Sequence, residues 1–280
     1  MERRHFFVNA VSAIAGPLIL TSRKAAAQTK PASPAAAADD GWITLFNGRN
    51  LDGWYTYLPS TGKNEDPKKA FKVEQEMIHI FDLPPTKENQ EFGYMATNEE
   101  YSDCRIRVEF KWGMKRFPPR LEARRDNGLL YLLVGQDRVW PTCIECQIQE
   151  SDVGDLWILG GAVATPGQGG RPAPTPAPGQ GRAAAPAAGG RSVPQPQSSG
   201  RIFKDANFED LTGWNVVEVI LQGDRSIHLV NGRIVNASHD IKQPDPQNPG
   251  KLISLTRGRI ALQGEGAETW YRSVKVKPLA

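Results

Sequence analysis

The sequence predicts an all-β protein, a sandwich or jelly roll of two antiparallel sheets, and three observations lead there. Several segments alternate apolar and polar residues with the period of two that a strand requires, most strictly at 105–111. Turn residues such as Asn231-Gly232 separate such segments at short intervals. No stretch has a convincing helical period. Many short strands with turns between them are typical of a sandwich or jelly roll.

The predicted strands follow one another between residues 41 and 280. Asn47-Gly48 and Asp52-Gly53 form the first turns. The last two segments are expected to pair with each other as closing strands. In chain order the predicted strands are 42–46, 55–57, 71–80 (two strands around a turn), 105–111, 128–134, 143–149, 214–221, 225–230, 233–236, 258–263 and 270–276.

Residues 1–27 have the organisation of an export signal. Arg3-Arg4 precede an apolar run at 8–20, and the alanines at 25–27 offer a small-residue cleavage site. The run is shorter than the ~20 residues that a membrane span needs. The paired arginines before two phenylalanines resemble a twin-arginine signal. We therefore expect a periplasmic or secreted protein with no membrane association after cleavage, and an uncleaved anchor is the alternative.

Two further segments have compositions unsuited to a packed core. Residues 28–40 are predicted to be a disordered tether. Residues 166–200 contain eight prolines, three arginines, no acid, and Val193 as the one sizeable apolar side chain. Such a segment cannot bury enough surface to offset its ordering entropy, so a disordered insertion is expected there. Because the later strands complete the same sheet system, residues 41–280 are predicted to form a single β-sandwich domain.

Charge and cysteine content exclude several functions. Four basic residues and one acid within 1–27 account for the formal charge of +3, so the rest of the chain is neutral overall. A nucleic-acid partner, which needs a clustered basic face, is therefore not expected. Cys143 and Cys146 lie three apart, which places them on opposite faces of a strand and suits neither zinc nor a redox pair. Together with Cys104 they are predicted to be buried free thiols, although one disulfide through Cys104 stays open.

Residues 126–157 contain the strongest candidate for a site. Two predicted strands are joined there by a polar loop, and the second places Glu145, Gln147 and Gln149 on one face with apolar residues on the other. A solvated strand face more often carries Thr, Lys or Arg. A stripe of one carboxylate and two amides therefore indicates hydrogen bonding to a polar ligand.

Two other features are less specific. The charged face of strand 105–111, which includes Arg107, fits either plain solvent surface or the wall of a polar cleft. No HxH or HExxH spacing exists, so a metal site cannot be argued from the sequence, although scattered ligands including Glu145 leave a divalent metal open. The chain also lacks a Ser-His-Asp motif, a P-loop and a dinucleotide fingerprint.

Four islands of sequence together resemble one known family. They are LFNGRNLDGW at 45–54, the stretch 126–157, WNVVEVILQGDRSIHLVNGRIV at 214–235, and 258–279. In this order they resemble the 3-keto-disaccharide hydrolase domain family, formerly a domain of unknown function. The resemblance implies the concanavalin A-like lectin/glucanase fold, a jelly-roll sandwich of two antiparallel sheets whose concave face binds sugar, in an exported protein.

The chain departs from the family pattern in two places. Asp126-Asn127-Gly128 stands where the family often has Asn-Ser-Gly. Gly264-Glu265-Gly266 stands where it often has Asp-His-Gly, which removes a polar histidine from the rim of the expected site.

The resemblance implies an enzyme that cleaves 3-keto-glycosides or 3-keto-disaccharides. A carbonyl at C3 acidifies the hydrogen on C2, so a carboxylate base can remove it and the aglycone leaves from C1; water adding back gives net hydrolysis. The enzyme would be a hydrolase, with a lyase mechanism open. Glu145 is expected to be the base, Asp155 a partner acid or orienting group, and Tyr131 an acid for the leaving group. The expected substrate-binding residues are Gln147, Asn127, Asp126, Trp157 and Arg107.

The same residues also have structural interpretations. Glu145 fits a solvated strand position, Asp155 a turn cap, and Trp157 and Tyr131 core positions. A carbohydrate-binding module without turnover is therefore the alternative function, because the sandwich hosts enzymes and lectins alike. A cell-surface adhesion domain is a third. The sequence specifies neither the sugar, linkage and aglycone nor the oligomeric state.

Overall fold

The computed structural model describes residues 41–167, 171–172, 197 and 200–279. The predicted signal at 1–27, the tether at 28–40 and most of the insertion at 166–200 lie outside these residues. In the described part of the chain no helix is present, so none there could span a membrane. The strands in chain order are β1 (Ile43–Thr44), β2 (Trp54–Leu58), β3 (Gly62–Lys63), β4 (Phe71–Glu74), β5 (Met77–Ile80), β6 (Gly93–Thr97), β7 (Cys104–Arg116), β8 (Asp126–Val134), β9 (Thr142–Gln149), β10 (Leu156–Leu159), β11 (Val163–Pro166), β12 (Arg171–Pro172), β13 (Gly200–Phe203), β14 (Asn215–Gln222), β15 (Arg225–Val230), β16 (Arg233–Pro244), β17 (Leu252–Ser254), β18 (Arg259–Gly264) and β19 (Ala267–Pro278).

Within the described residues these strands form two antiparallel sheets. A ten-stranded sheet has the order β11-β16-β15-β14-β7-β19-β5-β4, with β1 on β19 and β17 on β16. A nine-stranded sheet has the order β12-β13-β10-β9-β8-β18-β6-β2-β3. The predicted sandwich of two antiparallel sheets is confirmed.

The main core lies between the two sheets. Alternation along β9 points Ile144, Cys146 and Ile148 into it, where they join Val217 and Val219 of β14 in one apolar cluster. The opposite, outer face of the nine-stranded sheet carries a second, smaller apolar cluster, drawn from that sheet alone. Its buried members are Tyr55, Tyr94, Ala96, Leu130, Leu133, Cys143 and Ala261.

The cysteines are free and buried, as expected. Cys146 belongs to the core between the sheets and Cys143 to the outer cluster, so the pair points to opposite faces of β9.

One predicted pairing is wrong. The closing strands β18 and β19 do not pair with each other, because each lies in a different sheet. β18 pairs with β6 and β8, whereas β19 pairs with β1, β5 and β7. The chain crosses from one sheet to the other at Glu265-Gly266, where Gly266 adopts a φ of 80°. A left-handed backbone of this kind suits glycine, and it turns the strand away from its predecessor.

Candidate active site

A pocket of about 320 Å³ opens on the outer face of the nine-stranded sheet. Its walls come from the strands at the centre of that sheet, from the loop between β8 and β9, and from the segment between β7 and β8. Carboxyl and amide groups predominate among its polar side chains. The lining residues are Arg120, Asp126, Trp140, Glu145, Gln147, Gln149, Trp157, Leu159 and Glu265.

Strand β9 brings the polar stripe into this pocket. Glu145, Gln147 and Gln149 alternate with its core residues and so share the outer face, and the first two are 4% and 5% exposed. Space for the Glu145 carboxyl is left by Gly128 on the neighbouring strand. A Cβ at position 128 would lie 2.3 Å from Oε1 of Glu145 and 2.3 Å from Oε1 of Gln263. Glycine at 128 therefore allows the Glu145 and Gln263 side chains to converge over β8.

A single arginine lies among the carboxyls. Arg120, from the segment between β7 and β8, donates from Nη1 to Oε2 of Glu265 at 3.0 Å and from Nη2 to Oδ2 of Asp126. Gln149 also donates to Oδ2 of Asp126. No cation is paired with Glu145 among the described ion pairs, which leaves three carboxyls around one guanidinium.

This imbalance in a buried place raises the pKa values of the three carboxyls. Burial raises the pKa of Asp126 to about 6, although the Arg120 charge opposes the shift. Burial and the neighbouring Asp126 raise the pKa of Glu265 to about 8. Burial, with Glu265 and Asp126 nearby, also raises the pKa of Glu145 well above its usual range. The pocket therefore retains protons at neutral pH, as an acid–base site requires.

Several buried polar atoms in and beside the pocket have no partner within the described protein. They include both amide atoms of Gln263, Nε of Arg120, Oδ1 of Asp126 and Nε1 of Trp157. Buried polar groups are hydrogen-bonded in the great majority of cases, and an unmade bond costs free energy. So many unpaired donors and acceptors at one place indicate that a polar ligand or water completes them.

Two tryptophans flank the carboxyls. Trp157 on β10 pairs in register with Glu145, and the guanidinium of Arg201 lies 5.6 Å from its ring centroid. Trp140 lies in the loop between β8 and β9. That loop is held to the sheet by Asp137, which accepts from the hydroxyls of Tyr55 and Tyr94. The pocket thus offers aromatic faces on which the apolar face of a ring-shaped ligand can stack.

Four of the predicted site residues line the pocket, namely Glu145, Gln147, Asp126 and Trp157. Asp155 does not. Its carboxylate is bound to Arg201 and accepts the backbone N–H of Lys204 at 2.8 Å, so it holds β13 beside β10. The prediction that Asp155 serves as partner acid or orienting group is therefore corrected to a structural role.

Three other predictions are contradicted by the direction of the side chains. Tyr131 and Asn127 point inward, between the sheets: the Tyr131 hydroxyl bonds Ser226 and His228, and Asn127 bonds Thr269. Strand alternation explains both, because residues 126, 128 and 130 of β8 face outward, whereas 127, 129 and 131 face inward. Arg107 lies on the ten-stranded sheet, where it pairs with Glu109 and Glu218.

Within the described residues, one group of three or more His, Cys, Asp or Glu side chains has its ligand atoms within 4.8 Å of one another. It consists of Glu74, His79 and Asp82, beside the ten-stranded sheet. Lys72 Nζ already lies 3.1 Å from Glu74 and 2.7 Å from Asp82, so a lysine occupies the place of a cation. In the pocket, Arg120 holds the corresponding place between Asp126 and Glu265.

Sequence reasoning missed four residues: Arg120, Trp140, Gln263 and Glu265. Gln263 could have been predicted from the sequence, since Ala261 and Gln263 alternate with core residues on β18. In the sequence, Glu265 is notable only because it replaces a histidine that is common in the family. Its entry into the pocket depends on the turn between the sheets, which no local pattern specifies. Arg120 and Trp140 lie outside regular strands, where alternation gives no direction.

Comparisons with known proteins agree with this architecture. A sequence profile described as the 3-keto-alpha-glucoside-1,2-lyase-like domain matches residues 41–277. No curated protein matches the chain significantly. Among solved structures, a candidate glycosyl hydrolase from Parabacteroides distasonis ATCC 8503 superposes with a TM-score of 0.51 at 17% identity, covering 86% of this chain and 94% of its own. At that identity the match shows a shared fold and nothing about substrate.

Two other superpositions are weaker. A second candidate glycosyl hydrolase from the same organism has a TM-score of 0.49 at 15% identity, over 85% of this chain and 99% of its own. The carbohydrate-binding module CBM66 from Bacillus subtilis has a TM-score of 0.42 at 11% identity, over 85% and 95% of the two chains.

Proposed function

Because the chain belongs to the 3-keto-alpha-glucoside-1,2-lyase-like domain family, we propose that it cleaves 3-keto-glycosides in the acidic pocket, with Glu145 as the base. The observation that carries this proposal is the buried carboxyl of Glu145, unpaired with any described cation and adjacent to the unpartnered amide of Gln263. A polar pocket that retains protons supports chemistry in addition to binding.

The reaction begins at C2 of the sugar. The C3 carbonyl acidifies the hydrogen on C2, and Glu145 removes it as a proton. Burial and the neighbouring carboxyls, which raise its pKa, make Glu145 a stronger base than an exposed glutamate. The C–H electron pair passes to the C3 oxygen as an enolate, and its return expels the aglycone from C1.

The enolate oxygen needs a hydrogen-bond donor. Gln263 meets this need, because its Nε2 is buried, lacks a partner in the described protein and lies beside Glu145. A donor held in place before the reaction stabilises charge as it develops. Gln147 binds a sugar hydroxyl, and the indole of Trp157 stacks on the ring.

Water completes the hydrolytic outcome. The elimination product is a 3-ketone with a double bond between C1 and C2, and addition of water at C1 with return of a proton to C2 gives the free 3-keto-sugar. For an aglycone that leaves without protonation, this route needs one base and one oxyanion donor, in contrast to the paired carboxylates that flank the bond in ordinary glycosidases.

The test uses 4-nitrophenyl 3-keto-glucoside and the full chain. We expect the wild type to release 4-nitrophenolate, and Glu145→Gln to lower kcat/KM by about 10³-fold while still binding the substrate. Deuterium at C2 should slow the wild type, because the C2–H bond breaks. A 4-nitrophenyl glucoside with a hydroxyl at C3 should not react, since its C2 hydrogen is not acidified.

Glu122→Gln is the matched control. Glu122 is an exposed carboxylate outside the pocket, so its loss changes the charge equally and should leave the rate unchanged. Equal rates for wild type and Glu145→Gln would remove Glu145 from the chemistry. Binding of 3-keto-glucoside by the wild type without any release would favour a carbohydrate-binding module instead.

We also propose that the chain is exported through residues 1–27, on the twin-arginine pattern described above. Replacing Arg3-Arg4 by two lysines should leave the protein in the cytoplasm of the producing cell. Fractionation and immunoblotting would measure this, and unchanged export of the variant would contradict it.

A further inference from the structure

The proposed elimination lacks one participant. When the C1–O bond breaks, an alkyl aglycone leaves as an alkoxide, which is a poor leaving group unless an acid protonates it. The sequence offered Tyr131 for this task, but its hydroxyl is buried between the sheets, bonded to Ser226 and His228. The acid must therefore be a group that faces the pocket.

Glu265 faces the pocket from the turn between β18 and β19. Its carboxyl is bound by Nη1 of Arg120 at 3.0 Å, and its side chain is 12% exposed, which leaves it in reach of a bound molecule. Backbone hydrogen bonds join the segment that carries Arg120 to the turn that carries Glu265. The N–H of Phe117 donates to the carbonyl of Gly266 at 2.8 Å, and the N–H of Arg120 donates to the carbonyl of Phe117 at 3.0 Å. The Glu265 carboxyl is thus held at a fixed place on the rim.

Three charged groups face Glu265 in the pocket. Arg120 reaches it from the segment before β8, Asp126 from β8 and Glu145 from β9. One guanidinium cannot compensate three buried carboxylates, so the carboxyls hold protons between them. The pKa of Glu265 is raised to about 8 and that of Asp126 to about 6, so Glu265 holds its proton more tightly than Asp126 at neutral pH.

We propose that Glu265 is the general acid of this reaction, giving its proton to the aglycone oxygen as the C1–O bond breaks, while Asp126 and Arg120 position it. This inference rests on the proposed function and adds the second catalytic residue. It also gives a role to the glutamate that replaces the histidine common in the family at this position.

The proton balance closes over a full cycle. In the elimination, the C2 proton goes to Glu145, the C1–O electron pair goes to the aglycone oxygen, and that oxygen takes the proton of Glu265. In the hydration, water forms the new C1–O bond and yields a proton to Glu265, while Glu145 returns its proton to C2. Both carboxyls are then as they began, and no oxidant or reductant is needed.

The test compares two aglycones on the same variant. 4-Nitrophenolate leaves without help, whereas ethanol needs an acid. For Glu265→Gln we expect kcat/KM to fall at least 100-fold on ethyl 3-keto-glucoside and less than 3-fold on 4-nitrophenyl 3-keto-glucoside. Retained nitrophenyl activity also shows that the variant is folded. Equal losses on both substrates would make Glu265 a positioning residue, and equal retention would remove it from the reaction; either result overturns the proposal.

A measurement on the wild type covers the case in which the variant does not fold. As pH rises through about 8, Glu265 loses its proton, so the rate on the ethyl substrate should fall relative to that on the nitrophenyl substrate. A constant ratio from pH 6 to pH 10 would contradict the proposal. Failure of the wild type on both substrates would instead contradict the proposed function itself.

Discussion

Two groups of buried or half-buried acids in the described part of the chain differ in how their charge is balanced. The first, the pocket cluster, consists of Asp126, Glu145 and Glu265 around Arg120. The second, the balanced cluster, lies on the ten-stranded sheet and consists of Glu74, Asp82 and Glu268 with Lys72, His79 and Lys115.

Every acid of the balanced cluster has a basic partner. His79 lies between Glu74 and Glu268, at 3.0 and 2.9 Å from its two ring nitrogens, and stacks on Trp270. Hydrogen bonds from Lys115 and Lys72 lower the pKa of Asp82 to about 2. These ion pairs and hydrogen bonds join neighbouring strands of the sheet.

In the pocket cluster the acids outnumber their basic partners. Its three carboxyls have raised pKa values because they are buried and share a single cation, Arg120. Stabilisation alone does not account for such an arrangement, since an unpaired buried charge destabilises a fold. Incomplete pairing is, however, what an acid–base site needs. The balanced cluster therefore serves the structure, and the pocket cluster serves the proposed chemistry.

Substitutions at two glycines, one beside each cluster, test the difference between the two clusters. A Cβ at Gly128 would lie 2.3 Å from Oε1 of Glu145, so alanine there must push the carboxyl from its place. We expect Gly128→Ala to lower kcat/KM on 4-nitrophenyl 3-keto-glucoside by about 100-fold, because small displacements of a catalytic group are costly in rate. Its thermal midpoint should change little, since the displaced carboxyl makes no ion pair with a described residue.

Gly113→Ala is the counterpart in the balanced cluster. Its Cβ would lie 2.2 Å from Oε2 of Glu268, which accepts the backbone N–H groups of Met114 and Lys115 at 2.8 and 3.0 Å. We expect a loss of about 2 kcal/mol in the free energy of unfolding, as is typical of overpacking, with an unchanged rate. Denaturant unfolding and kinetics on both variants measure the contrast. A rate loss in Gly113→Ala equal to that in Gly128→Ala would abolish the distinction.

Tyr131→Phe sharpens the comparison further, because Tyr131 was expected in the pocket. Its hydroxyl lies 2.7 Å from Oγ of Ser226 and 2.9 Å from Nε2 of His228, so it links the two sheets. Removing it leaves buried partners unsatisfied, and we expect a loss of about 1–2 kcal/mol in unfolding free energy. The rate on ethyl 3-keto-glucoside should not change. A rate loss on this substrate but not on the nitrophenyl one would restore Tyr131 as the acid.

The case of Tyr131 shows how much the sequence could predict. The period of two placed Glu145 and Gln147 on one face of β9 correctly, because alternation is a local property of a strand. The same rule assigns Asp126 and Asn127 to opposite faces of β8, so both could not have lined one pocket. The error lay in treating neighbouring residues of the stretch as one site.

What the sequence could not predict depends on contacts between distant segments. Glu265 reaches the pocket because β18 and β19 belong to different sheets, and the expected pairing of these two strands concealed that. Arg120 reaches it from an irregular segment, where the backbone path is set by tertiary hydrogen bonds such as that between Phe117 and Gly266. A strand pattern states which way a side chain points, but not which strand lies beside it.

The smallest expected effect is a difference in how stability depends on pH. Glu265 has a raised pKa, so the folded state binds more protons than the unfolded state between 4.5 and about 8, and its contribution to stability is lost as pH rises through that window. Asp82 has a lowered pKa, so its contribution is present above 3.8 and is lost as pH falls towards about 2. His228, with its pKa lowered by burial to about 4, opposes the Glu265 trend between 4 and 6.5.

Variants separate these contributions. We expect Glu265→Gln to lose less stability than the wild type as pH rises from 4.5 to 8, and Asp82→Asn to lose less as pH falls from 4 to 2. Urea unfolding at a series of pH values measures both, and His228 contributes equally to each comparison and so cancels. Parallel curves for wild type and Glu265→Gln would show that folding does not raise the pKa of this carboxyl, and the pocket cluster would then not differ from the balanced one.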